Sequence, residues 1–136
     1  MYTKPRAARA LQIGAVVLTL VSLSCNSLTS FGGVYTPVIT NDTDAYAFKA
    51  TLSNITRREE DRWQNTGVAA NVTLSNAVTG GTATLSIMDA DGALVYTHAL
   101  DGSGPGGTGP GSAGLWTIVV EMTNTTGTLD FKVEKP

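Results

Sequence analysis

The sequence predicts an all-β fold, an antiparallel β-sandwich of about seven strands with a small β-barrel as the alternative, preceded by an N-terminal signal segment. Three observations carry this. From residue 45 onward the apolar residues recur with a period of two. The runs are bounded by Gly, Asn and Asp at short, regular intervals. Beyond the first 24 residues no ten-residue stretch repeats at 3.6, so nothing reads as an amphipathic helix.

The chain opens with Lys4, Arg6 and Arg9 and no acid, followed by the apolar run "LQIGAVVLTLVSL" from Leu11 to Leu23. Such a run falls short of the roughly 20 residues a membrane-spanning helix needs and suits a secretory signal. It ends in Val21-Ser22-Leu23-Ser24-Cys25, which resembles a bacterial lipobox: a small residue before the cysteine, apolar residues upstream, and a thiol to take a diacylglyceryl group before cleavage. A strict lipobox has Leu where Ser22 stands, and Ser22 with Ser24 also satisfies the small-x-small rule of ordinary signal peptidase, which would release a soluble protein. Cys25 is the only cysteine. A lone thiol in an oxidising compartment cannot form an internal disulfide, which favours lipidation as its use. The expected division is therefore signal 1–24, lipid-anchored tether 25–37 ("NSLTSFGGVYTP" from Asn26, small, polar and uncharged) and a β-sandwich domain 38–136.

Residues 25 to 136 make about one ordinary domain. Three of the nine basic residues belong to the signal, leaving six against eleven acids. That balance argues against nucleic acid, whose phosphates need clustered positive charge.

The strands follow in order. "DAYAFKATL" puts Tyr46, Phe48, Ala50 and Leu52 on one side; "GVAANVTLS" does the same with Val68, Ala70, Val72 and Leu74, and "GTATLSIMD" with Ala83, Leu85 and Ile87. Ala90-Asp91-Gly92 then reads as a tight hairpin into "ALVYTHAL", because Gly and Asp tolerate positive φ. "GLWTIVVEMT" aligns Trp116, Ile118, Val120 and Met122, and "GTLDFKVEK" aligns Leu129, Phe131 and Val133. "NTTG", Asn124 to Gly127, is expected to close these two as a hairpin. The charged run Arg57 to Arg62 and the glycine-rich Asp101 to Gly114 are expected to be loops, the latter dispensable for folding.

The segments "DAYAFKA", "TLSIMDADGALVY", "GLWTIVVEM" and "GTLDFKVE" are similar to bacterial pre-peptidase C-terminal and immunoglobulin-like domains of secreted proteins, which share an aspartate-glycine hairpin, a Gly-x-aromatic strand and a closing Gly-x-Leu-x-Phe-x-Val strand. The resemblance spans about 90 residues and implies a binding or spacer module. No peptidase accompanies it in this chain.

Candidate sites are few. Gly104-x-Gly106-x-x-Gly109 has the spacing of a dinucleotide fingerprint, but Pro110 and Gly111 follow where that motif opens a helix. Asp89 and Asp91 have the spacing that begins a calcium loop, yet Leu100 occupies the position of its bidentate glutamate, so they are weak metal candidates beside a plain turn. His98, the only histidine, has no nucleophile motif to serve. Trp63 is a possible ligand contact, as an exposed stacking platform, or else a lid over the core. The sequons at Asn41, Asn54, Asn71 and Asn124 read as incidental in a bacterial-type chain. The sequence thus points to a non-enzymatic lipoprotein of the cell envelope, outer-membrane by anchor, acting as a binding or structural module for an envelope protein or glycan and needing no cofactor. The alternative is a periplasmic or secreted carbohydrate-binding or adhesion domain.

Overall fold

The computed structural model describes residues 33 to 136. The chain forms seven antiparallel strands: β1 Val34–Asp42, β2 Ala45–Asn65, β3 Asn71–Ser75, β4 Ala77–Met88, β5 Leu94–Ala99, β6 Ser103–Gly107 and β7 Gly114–Glu134. No helix occurs among the described residues.

β2 and β7 each run 21 residues. Held straight, a strand of that length would span about 70 Å. Instead the amide of Asp44 donates to the carbonyl of Gln64 at 2.8 Å, so β2 returns to its starting point. β7 bends with it, because the two stay paired from Ala45↔Glu134 to Asn65↔Gly114 with shifts in register only between Leu52 and Arg57. Each long strand therefore crosses a corner and supplies both layers of a sandwich. One layer has the order β1, first half of β2, second half of β7, β3, β6; the other has the second half of β2, first half of β7, β4, β5.

The corner has an identifiable chemistry. Asn54 (φ 53°), Gly81 (φ 66°), Asn124 (φ 47°) and Gly127 (φ 127°) all take left-handed backbone there. Asn and Gly are the residues that do so at least cost. The amide of Asn54 donates to Thr126 Oγ1 and the amide of Asn124 donates to Thr56 Oγ1, both at 2.9 Å. Two Asn-x-Thr triplets thus clasp each other reciprocally, which gives the sequons at Asn54 and Asn124 a structural role.

The core lies between the layers. Tyr46, Phe48, Leu52, Val72, Leu74, Leu129, Phe131 and Val133 of one face pack on Trp116, Ile118, Val120, Met122, Leu85 and Ile87 of the other. The alternation read from the sequence assigned all of these inward. Five expectations are corrected. Val68, read on the same side as Ala70, is 58 % exposed, because β3 starts only at Asn71. "NTTG" is a bend within β7 and not a hairpin. The charged run is strand, the second half of β2, because it pairs with β7 from Arg57↔Met122 to Asn65↔Gly114 and its inward acids are satisfied: Tyr35 Oη donates to Glu59 at 2.8 Å and Tyr46 Oη to Asp61 at 2.7 Å. Its polarity hid a strand whose inner row is partly ionic. The glycine-rich segment contains β6, paired with β3 from Asn71↔Gly107 to Ser75↔Ser103. The first strand also begins at Val34, four residues inside the segment read as tether.

Candidate functional site

The residues singled out from sequence do not converge. Cys25 lies outside the described residues. Trp63 is 0 % exposed. Its indole stands edge-on to Trp116, centroids 5.9 Å apart, and its N–H donates to the Asp42 carbonyl at 3.1 Å. Buried, packed edge-to-face on Trp116 and with its one donor satisfied, it is core, and the reading as a ligand platform is corrected.

Asp89 is a turn-builder. Its Oδ1 accepts from the amides of Asp91 (3.0 Å) and Ala93 (2.8 Å), and its Oδ2 from the amide of Ser112 (2.8 Å). The amides of Ser112 and Ala93 hold its carboxyl below the usual aspartate range. Asp91 accepts from the Ser112 hydroxyl. These oxygens are engaged by protein donors, and among the described residues no three His, Cys, Asp or Glu side chains gather as a metal site. The pair locks the β4–β5 turn, where Gly92 has φ 84°, onto the segment before β7.

The concave site lies elsewhere, at the open side of the sandwich where the two edge strands β5 and β6 face each other. It has a volume of about 260 Å³ and is lined by Leu74, Tyr96, His98 and the stretch Gly102 to Gly107. Pairing register explains why it is there. Tyr96 lies opposite Ile87 and His98 opposite Leu85, so both are on the inner face of their layer, Tyr96 half-buried and His98 exposed at its open edge. From the other layer, Gly106 lies opposite Val72 and Gly104 opposite Leu74, so the inward positions of β6 are both glycine. An ordinary strand would place two core side chains there. With none, a gap opens over the rings of Tyr96 and His98.

Those rings are near-parallel, centroids 6.1 Å apart and planes 16° apart. A Cβ on Gly106 would sit 3.2 Å from Tyr96 Oη, which measures how close β6 comes to the ring; a Cβ on Gly104 would meet nothing within 4 Å. His98 Nδ1 is 2.6 Å from the Ala99 carbonyl. A carbonyl only accepts, so Nδ1 carries a proton in this contact. Burial raises the Tyr96 phenol above the ordinary tyrosine range, so it remains a neutral O–H donor. Among the described residues no Asp, Glu, Lys or Arg lines the cleft.

Sequence reasoning missed this site. It read Tyr96 and His98 as positions of an ordinary strand and the glycines as a loop. The usable signal was the pairing of an aromatic-x-His strand with a following strand whose alternate residues are all glycine.

No family model matches the chain, and no curated protein matches it. Among solved structures, a carbohydrate-binding module of a Cellvibrio mixtus lichenase, determined with cellotriose, is similar with a TM-score of 0.45 at 16 % identity, over 75 % of this chain and 87 % of that one.

Proposed function

We propose that this protein is a non-catalytic binding module of the cell envelope, exported by its N-terminal segment and held at the membrane by acylation of Cys25. The observation that carries the binding role is the β5–β6 cleft. It is an opening in the row where a sandwich otherwise closes its core, and its lining offers aromatic faces, backbone groups and neutral polar atoms. Those are means of recognition rather than of bond-breaking. The anchor rests on the sequence around Cys25. Two acyl chains of a diacylglyceryl group hold a small domain at a bilayer, where a single chain binds only marginally.

Two experiments test the two halves. For the anchor, the full chain and its Cys25→Ser variant are fractionated and weighed intact. The wild type should enter the detergent phase with a lipid mass increment, and the variant should not. A soluble, unmodified wild type would replace the anchored module with a secreted one. For the binding role, the purified Cys25→Ser chain is incubated with isolated envelope material. Retention that falls on Tyr96→Ala is expected, and equal retention of both would remove the cleft from the account.

A further inference from the structure

We infer that the β5–β6 cleft takes an uncharged sugar ring, stacked on Tyr96 and bounded above by the backbone of Gly104 to Gly106. The inference rests on the binding role proposed above and names its ligand class.

Four features of the cleft converge on that chemistry. First, one wall carries two near-parallel rings, half-buried Tyr96 and exposed His98, two residues apart on β5. Aromatic faces carry partial negative charge, and they accept the weakly positive C–H face of a pyranose as readily as another ring. Second, its roof has no side chains: Gly104 and Gly106 hold the inward positions of β6, and the open space lies at Gly104, where an added Cβ would meet nothing within 4 Å, while Gly106 already approaches the edge of Tyr96. Third, among the described residues no Asp, Glu, Lys or Arg lines the cleft. A charged ligand would find no carboxylate, ammonium or guanidinium to pair with there, whereas a neutral polyol needs none.

Fourth, the polar atoms suit hydroxyl groups, which both donate and accept. The Tyr96 phenol donates and accepts, and Nε2 is the His98 ring nitrogen not engaged with the Ala99 carbonyl. Among the described residues β6 is also the outer strand of its layer, paired with β3 alone, so its far edge offers backbone N–H and C=O groups to a ligand in the cleft. A partly apolar ring edged by hydroxyls matches every one of these.

The test uses the full Cys25→Ser chain and a panel of neutral oligosaccharides: gluco-, xylo-, manno- and N-acetylglucosamine oligomers of three to six units, titrated by calorimetry. At least one series should bind saturably. Tyr96→Ala should weaken it by about tenfold or more, and Tyr96→Phe, which keeps the face, by only a few-fold. Gly106→Ala provides a variant that does not cut into the core. Its methyl would enter the roof against the Tyr96 hydroxyl, so binding should fall while the thermal melt holds. No binding by any oligomer would overturn the inference. If the envelope retention described above still depends on Tyr96, the binding role stands with another ligand, such as an apolar peptide segment. If that dependence is also lost, both readings fall together. Binding that survives Tyr96→Ala and Gly106→Ala would place the sugar elsewhere and overturn the inference as well.

Discussion

Single residues set the limits of this fold at both ends of the pH scale. Asp44 accepts from the Thr66 amide at 2.6 Å and its hydroxyl at 2.7 Å, which lowers the carboxyl below its ordinary 3.8, and Asp89 is lowered by its three amides. Carboxylates depressed in the folded state contribute stability above the unfolded value and lose it as pH falls through the folded one. Tyr35 and Tyr46 are shifted the other way. Burial is the main cause for each, followed by hydrogen bonds to Glu59 and Asp61, and both phenols lie far above the ordinary 10.0. Their stabilisation is complete below pH 10 and drains away as the unfolded chain ionises above it. Melting temperature should therefore be flat across neutral pH, fall below about pH 4 and fall again above about pH 10. Asp89→Asn should flatten the acid limb and Tyr46→Phe the alkaline one; an alkaline limb unchanged in Tyr46→Phe would show that the Tyr46–Asp61 pair is not its source. Trp63→Ala should cost about 3 to 5 kcal/mol in urea melts, as for a filled core position, where a surface platform would lose under 1 kcal/mol.

At the scale of elements, the corners decide the topology. A Cβ on Gly81 would collide with the carbonyl of Asn124, and one on Gly127 with the carbonyl of Ala77, each at positive φ. Gly81→Ala and Gly127→Ala should each cost more than about 2 kcal/mol, while Gly102→Ala, whose Cβ would meet nothing within 4 Å, should be near neutral in the same melts. Thr56→Val and Thr126→Val each leave an amide of the clasp without its acceptor and should cost about 1 kcal/mol. Deleting Gly102 to Gly111 should destabilise the domain strongly. It removes β6 and also the amides of Thr108, Gly109 and Gly111, which donate to Ala70, Val95 and Val68. Retention of the native melt after that deletion would make β6 dispensable. These elements also explain what was legible in the sequence. Strands whose inner row is apolar, such as Leu129-x-Phe131-x-Val133, declare themselves by period two. The second half of β2 does not, because Glu59 and Asp61 occupy inner positions, where tyrosines of the facing layer, and for Glu59 also Arg57, satisfy them. β6 does not either, since a strand of Ser, Gly and Pro has no side-chain period at all. β1 was half hidden for a third reason: as an edge strand with Pro37 it is exposed on both faces, Val38 at 66 % and Ile39 at 41 %.

For the molecule as a whole, the two open sides of the sandwich are treated differently. On one, β1 overhangs the second half of β2, and the gap is filled by Tyr35, with the Arg57 guanidinium 4.9 Å above its ring and Glu59 on its hydroxyl. On the other, β6 faces β5 with glycine, and the gap stays open over Tyr96 and His98. The candidate site could not be read from sequence because neither half means anything alone. An aromatic-x-His pair is an ordinary strand, and a glycine run is an ordinary loop, until register sets one across from the other. The measurement that tests this account most directly is an amide NMR titration of the full Cys25→Ser chain with the neutral oligosaccharide panel. Shift changes should gather at Leu74, Tyr96 to His98 and Gly102 to Gly107, and leave Trp63 and the β1 side unmoved. Changes centred on β1 or the corner, or no change with any oligomer, would contradict it.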